Sequence, residues 1–452
     1  MDKQDKSQTM YFRICSVIFI IFIVLALPCQ GNCEDQAGPV LALKQAVRIA
    51  LKNNPGLAQQ VNTVETSEIS VFQQRADFYP DVNAAVAGQN SAQEDWFLST
   101  ELTSTLNLFN GFADSAGLKN AELELNAVQE NLTREQQSLV FETFSKFVQV
   151  LTSQALIQVK EDNLEENRKL LEQIETFQQA GRLALSDLYQ QQAETKQAQL
   201  ELIEAQQSLN DNKLLLMQTM GMNPMIDYRA AGLDFDSWSM VLTDEDIERL
   251  SVAALNERAD IKAQQYQIEA AGQQILQARA GQLPKLDLFA KLSSGYNSLG
   301  DETFSEQLKD DSLDATVGIS LTIPIFDRHL ARNEIAMAGI EQRNEQLTLK
   351  QKKLQAGLEI EQAIQEYRTT QQQVEVVQSK LIFARQSLQS YEERYRVGAS
   401  TLVELIQART GYVTAAFDQI EVKYNLITQE VALAYYLGNM KPLFAAFELE
   451  KS

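Results

Sequence analysis

Little in this sequence could carry covalent, redox or metal chemistry. It has one histidine, His329, and three cysteines, Cys15, Cys29 and Cys33, in no metal-ligand spacing. No Gly-rich phosphate loop ending in Lys-Ser/Thr occurs, and no nucleophile motif accompanies the histidine. No catalytic, cofactor-binding or metal-binding residue is expected, and His329 reads as a surface or helix-cap residue. The residues whose placement suggests a function are carboxylates. Asp187 and Glu404 stand 217 residues apart (404 − 187). In an assembly of identical chains, each position would set one carboxylate per chain at one depth. A carboxylate in the first turn of a helix is also what the helix macrodipole favours. The residues alone leave both readings open.

The 217 spacing belongs to an internal duplication. Leu108-Phe109-Asn110 returns as Ile325-Phe326-Asp327, Gly181 as Gly398, Leu188 as Leu405, and Met220-Gly221 as Leu437-Gly438, all at 217. Upstream, Tyr79-Pro80 returns as Leu283-Pro284 at 204 (284 − 80). A shift held without gaps over such a distance describes two copies of one long rigid unit, because insertions accumulate in loops. The step from 204 to 217 places 13 extra residues (217 − 204) between Pro284 and Phe326. That stretch reads as a tolerant surface loop.

The elements that position the carboxylates follow from periodicity. Leu41 to Tyr79 reads as helical, with a break or new start at Asn54-Pro55. Leu98, Thr100, Leu102, Ser104, Leu106 and Leu108 alternate with polar residues, which is a strand; Val82 to Val86 is its weaker partner, with a turn over Gln89 to Trp96. The second copy alternates over Leu286 to Leu292 and over Ala315 to Ile323, with an acidic loop between them. Each hairpin is followed by a long proline-free helix. Gly111 to Gln179 spans 69 residues (179 − 111 + 1), about 100 Å at 1.5 Å per residue; its copy runs from about Leu330 to Tyr395. Val374, Val377, Leu381, Ala384, Leu388, Tyr391 and Tyr395 step by threes and fours, and Val413, Phe417, Ile420, Tyr424, Ile427, Val431 and Ala434 continue the pattern as a coiled-coil seam. The return helix, about Leu183 to Met220, covers only about 55 Å. The upstream helical stretch must flank the rest of the long helix, so each half becomes one long helix beside two shorter ones stacked end to end.

Formal net charge is −22, from 39 basic and 61 acidic residues, which disfavours a nucleic-acid partner. Lys3, Lys6 and Arg13 precede the apolar run Ile14 to Leu27, the pattern of an export signal. Residues 1–31 are assigned to it, with a retained anchor or a lipid-modified Cys29 or Cys33 as rivals. The remaining organisation is a first repeat over 32–222 with its hairpin at about 81–109, a linker over 223–244, a second repeat over 245–439 with its hairpin at about 285–326, and a tail over 440–452. Linker and tail are expected to form a collar around the helices.

Four strands with one apolar face cannot close a barrel alone, and open strand edges are not tolerated in lipid. An exported chain could place its two hairpins in an outer membrane by sharing a barrel among subunits. Three chains of four strands would give twelve and a wider lumen; two would give eight and a bore filled by side chains. Trp96, Phe97, Phe289 and Phe326 could supply interfacial aromatics. The competing readings are a soluble lid on a helical stalk and a periplasmic structural coiled coil with no pore.

The motifs, in their order and duplication, resemble the TolC family of outer-membrane efflux and secretion channels. They are the opening Ala46 to Pro55 and its echo Ala254 to Asp260, the two X-Pro pairs, Leu108 to Gly111 with Pro324 to Asp327, and Tyr395-Arg396-Val397-Gly398 with Leu405. The resemblance implies a homotrimer, with a twelve-strand barrel in outer-membrane lipid over a twelve-helix periplasmic coiled-coil tube. It also implies a passive exit duct served by a periplasmic membrane-fusion adaptor and an inner-membrane RND or ABC transporter. The turns at Gly181 and Gly398 would form the tip, where Arg182, Leu183, Leu188, Ser400, Thr401 and Leu405 are the candidate docking residues. Asp187, Tyr395, Glu404 and Gln407 would form the gate. Where the family often has a second acid, this chain has Gln407; where it has a basic partner just after the second glycine, this chain has Ser400. From the residues alone, both glycines are simply suited to a tight αα turn.

Overall fold

The computed structural model describes residues 40–90, 96–225, 228–232, 244–297, 313–440 and 443–444. The export signal, all three cysteines, most of the linker, the acidic loop of the second hairpin and the end of the tail lie outside the described residues. The chain forms two compact units. One is Met1–Val40 with Asp227–Arg229, of which Val40, Tyr228 and Arg229 are described; all that follows concerns the other, Leu41–Ile226 with Ala230–Ser452.

Each repeat begins with a helix pair. In α1 (Leu43–Asn53), Leu43, Ala46, Val47 and Ala50 recur at helical spacing and are buried. Asn54 ends α1 and caps α2 (Pro55–Ala76): its Oδ1 accepts the Leu57 N–H at 3.0 Å, and Pro55 sits where no N–H is needed. The second repeat opens with α5 (Asp244–Glu257) and α6 (Ala259–Ala280).

The longer strands are β1 (Asp81–Asn90), β2 (Trp96–Phe109), β3 (Lys285–Asn297) and β4 (Asp314–Thr322). They form one antiparallel sheet in the order β1-β2-β3-β4, so the two repeats share it through β2 and β3. β1 is longer than the Val82–Val86 segment because its pairing with β2 runs without a break from Asp81 to Asn90.

The long helices are α3 (Ala113–Gln179) and α7 (Leu330–Arg396), each of 67 residues. The return helices are α4 (Leu185–Thr219) and α8 (Leu402–Tyr436), each of 35. Their starts and ends all differ by 217 (330 − 113, 396 − 179, 402 − 185, 436 − 219), and α6 is offset from α2 by 204 at both ends (259 − 55, 280 − 76). The duplication therefore extends to element boundaries. α3 starts at Ala113, two residues after Gly111, because Gly111 and Phe112 are left-handed at φ 70° and 71°. Their repeat mates Arg328 and His329 are left-handed too, and His329 is the helix-cap residue of α7.

α3 packs on α2, α4 and α6, while α7 packs on α6 and α8. Phe144, Phe147 and Val148 of α3 are buried with Leu216 and Met217 of α4. A second core joins Ile247 and Ala254 of α5 to Ile360, Ile364 and Tyr367 of α7 and Leu433 of α8. The α7 seam from Val374 to Tyr395 is half-buried, as are Val413 to Tyr424 of α8, whereas Ile427, Val431 and Ala434 are buried. Among the described residues no helix is long and apolar enough to cross a membrane; that observation does not bear on the sheet.

Candidate functional site

The tip is built by two identical helix ends. Gly181 follows α3 at φ 72° and Gly398 follows α7 at φ 74°, the left-handed region that glycine enters without steric cost. Arg182 N–H donates to Phe177 O at 2.8 Å, and Ala399 N–H donates to Arg394 O at 2.8 Å. These bonds satisfy carbonyls the helix leaves unpaired and send the chain back on itself. Among the described residues, no heavy atom would lie within 4 Å of a Cβ on either glycine. Both turns, with Arg182 and Thr401, are therefore open to a partner. Leu405 is only 2 % exposed, and Leu188 packs with Leu183, Tyr391 and Tyr395 onto the core of Leu170, Ile174, Leu402 and Leu405. Their apolar side chains gain more by filling the interior behind the turns than by facing water.

The two repeat-mate carboxylates are held differently. Glu404 closes a capping box at the start of α8: its Oε2 accepts Thr401 N–H at 2.8 Å, Ser400 Oγ at 2.9 Å and Thr401 Oγ1 at 3.2 Å, while Glu404 N–H donates to Thr401 Oγ1 at 3.3 Å. The Thr401 N–H first, then the two hydroxyls, hold this carboxyl below the usual glutamate range. In the first repeat the corresponding cap is Ala184, which has no side-chain acceptor. Asp187 is thus not drawn into a cap. It lines a cavity of about 740 Å³ behind the turns together with Leu183, Tyr395, Gly398, Ser400, Thr401 and Leu405. The Tyr395 hydroxyl is pushed up by burial and then by the Asp187 charge. Gln407 is exposed on α8 and does not line that cavity.

The cavity also holds residues that the sequence reading passed over. Arg409 donates Nη2 to Glu392 Oε1 at 3.2 Å, joining α8 to α7. Lys169 pairs with Glu165 at 2.8 Å and Glu166 at 2.9 Å. Arg409 is an isolated cation in its stretch of α8, so spacing alone offered no signal for it.

The opposite end is the sheet. Val82, Val86, Leu98, Leu102, Leu106, Leu288, Leu292, Val317, Ile319 and Leu321 share one face by register. That face stands open: Val86 is 70 % exposed, Val317 75 % and Ile319 66 %. The other face carries Asn83, Ser99, Glu101, Thr103, Lys291 and Ser320, with Lys291 Nζ on Glu101 Oε2 at 3.0 Å. Among the described residues, β1 and β4 each leave one edge unpaired.

Midway, each return helix is pinned to the helix pair of its own repeat. Asn54 Nδ2 donates to Thr219 O at 2.9 Å. Its repeat mate is Arg258, 204 residues on (258 − 54), which is 4 % exposed in its side chain and pairs with Asp260 at 2.8 Å and Glu359 at 3.1 Å. Arg258 also reaches Tyr436 O at 3.5 Å, and Tyr436 is the repeat mate of Thr219.

An exposed apolar sheet above paired helices of about 100 Å, folded back at a glycine tip, defines a subunit of an outer-membrane channel. The sequence profile of the family described as "Outer membrane efflux protein" matches residues 46–222 and 250–439, and the chain belongs to that family, the TolC family of outer-membrane efflux channels. It is 25 % identical over 409 residues to Protein CyaE of Bordetella pertussis, covering 88 % of this chain and 84 % of that protein. It is 24 % identical over 416 residues to the pyoverdine export outer membrane protein OpmQ of Pseudomonas aeruginosa, covering 88 % and 85 %. The crystal structure of CusC has the same fold, with a TM-score of 0.78 at 19 % identity over 91 % of this chain and 95 % of that one. The protein is a non-enzymatic duct of the bacterial outer membrane that extends into the periplasm.

Proposed function

We propose that three copies of this chain assemble into one passive conduit, receiving cargo from a periplasmic membrane-fusion adaptor and an inner-membrane RND or ABC transporter. The observation that carries this is the sheet. It has an apolar face with no covering element among the described residues and two open edges, a combination lipid tolerates only in a closed barrel. Three sheets joined edge to edge close it with twelve strands, enough to leave a lumen lined by the polar face. Residues 1–31 act as the export signal, 32–222 and 245–439 are the two repeats, and 223–244 with 440–452 are the collar.

At the tip, Gly181, Arg182, Gly398, Ser400 and Thr401 present the turns to the adaptor, with Leu183, Leu188 and Leu405 supporting them from within. Asp187 and Tyr395 form the working part of the gate. Glu404 holds the start of α8 in place, and Gln407 faces outward one turn on. Pyoverdine export, as in OpmQ's name, and secretion both fit this architecture, because the transporter selects the cargo.

Reconstitution of the purified full-length protein into planar bilayers tests the reading. Discrete conductance steps with a cation preference are expected from the net charge of −22. Fractionation with outer membranes and a trimeric mass on crosslinking should accompany them. A protein that is released in soluble form by osmotic shock and forms no pores would instead be a periplasmic coiled coil.

A further inference from the structure

We propose that Arg328, with Arg279 and Arg332, forms a binding surface for anionic phospholipid headgroups where the sheet meets the long helices. The first sign is backbone strain. Arg328 and His329 stand at φ 58° and 65°, a region disfavoured for any residue with a Cβ. Arg328 is the repeat mate of Gly111 (328 − 111 = 217). Glycine is required at Gly111: a Cβ there would lie 2.8 Å from Leu283 Cβ and 3.0 Å from Ala280 O. At Arg328 the same left-handed backbone carries an exposed guanidinium instead. Strain kept where a glycine would remove it points to work done by the side chain.

Two more cations share this joint. The end of α6 abuts the start of α7, since a Cβ on Gly281 would lie 3.3 Å from Ala331 Cβ. Arg279 and Arg332, beside those contacts in the chain, are both exposed. Among the described residues none of the three arginines makes an ion pair, in a chain of net charge −22. Asp327, next to Arg328, is spent on the N–H groups of His329 at 2.9 Å and Ala331 at 2.8 Å. Asp77, Asp287 and Glu334 lie near the joint along the chain and pair with none of them. The apolar face of the sheet runs into the same place: Ile323 continues the alternation of Ile319 and Leu321, and Ile325 is 94 % exposed. The Phe326 ring then meets His329 edge to face at 6.0 Å, as its repeat mate Phe109 meets Phe112 at 5.2 Å. Lipid that covers the apolar face ends here, at its headgroups. Arginine stems lie along apolar surface while their heads reach phosphate oxygens. An anionic headgroup fits better than a zwitterionic one, which brings its own cation to the site.

The inference rests on the sheet lying in lipid, and the test separates the two. Full-length protein is reconstituted into vesicles of equimolar phosphatidylglycerol and phosphatidylcholine and extracted again in detergent, and the retained lipids are counted by mass spectrometry. Wild type should retain phosphatidylglycerol in excess. Each cation at an anionic surface contributes about fivefold, so Arg328→Gly should cut that excess by about fivefold. Arg279→Gln, Arg328→Gly and Arg332→Gln together should abolish it, and Arg328→Lys should keep most of it. In lipid-free detergent Arg328→Gly should unfold at higher urea than wild type, because glycine relieves the strain. An arginine with a merely structural role would not give that opposite sign. Equal retention of both lipids by wild type, or an unchanged ratio in Arg328→Gly, overturns the headgroup surface and leaves the channel intact. So does an Arg328→Gly protein that loses lipid preference and urea resistance together, because the arginine then serves the fold. Failure of wild type to enter the vesicles overturns both readings. If the triple variant does not fold, Arg328→Gly and Arg328→Lys carry the same test.

Discussion

Replacing Arg258 by Ala should destabilise the protein by about 3 kcal/mol, clearly more than replacing its repeat mate Asn54. The guanidinium forks Asp260, with Nε to Oδ1 at 3.1 Å and Nη2 to Oδ2 at 2.8 Å, and both Nη atoms reach Glu359 Oε2 at 3.1 Å. Breaking a buried ion pair by removing one partner costs about 3–5 kcal/mol. Asp260 and Glu359 keep 25 % and 26 % of their side-chain surface in water, so they recover some hydration and the lower end applies. Asn54 offers only neutral bonds, a cap to Leu57 N–H and a link to Thr219 O, worth together about 2 kcal/mol. The assay is equilibrium urea unfolding of the full-length protein in detergent, followed by far-ultraviolet circular dichroism. The triple variant Arg258→Ala, Asp260→Asn, Glu359→Gln should recover part of the loss, because no buried charge is then left alone. Equal costs for Asn54→Ala and Arg258→Ala, or no recovery in the triple variant, would refute the argument that charge pairing pins this joint.

Burial raises the Asp260 carboxyl, but the hydrogen bonds and charge of Arg258, with Arg134 and the Ile261 N–H, together outweigh it and hold the group below the ordinary aspartate range. A depressed carboxyl contributes stability above its unfolded pKa of about 4 and loses it as pH falls through the folded value. The urea midpoint should therefore drop on acidification below about pH 4, and Asp260→Asn should flatten that drop. Glu404→Gln keeps the capping-box partner while removing the charge, so it should leave conductance and hydrogen exchange at Thr401–Leu405 unchanged. Glu404→Ala should speed exchange there, and equal conductance changes in both variants would show that the charge itself acts. Gly221→Ala should be more destabilising than Gly398→Ala in the same urea assay. Both positions impose a left-handed backbone, a cost of about 1–2 kcal/mol, but a Cβ at Gly221 would also lie 2.4 Å from Asn53 O, whereas Gly398 has open space.

Much of the fold was legible because its signals are short-range and repeated. The alternation from Leu98 to Leu108 specifies a strand and its apolar face, and pairing with β1 and β3 only extends it. Gly181 and Gly398 mark turns that only a left-handed residue makes cheaply. The Thr401-x-x-Glu404 spacing and its absence at Ala184 are local signals too, but reading the two carboxylates alike passes them over. Leu188 and Leu405 were harder, because an apolar residue near a turn reads equally well as a contact surface or as core.

The sequence by itself determined the duplication, the 217- and 204-residue offsets between its copies, the strand faces and the glycine turns. Each depends on hydrogen bonds and periodicities that span a few residues. Only the tertiary structure decided which side chains meet across helices. Arg258 finds Glu359 101 residues away (359 − 258). Arg409 finds Glu392 and shares a cavity with Tyr395 and Asp187. Those meetings depend on the rotation of each helix about its axis and on how two short helices stack along a long one. Both are set by packing summed over the whole length, and no local stretch of sequence contains that sum.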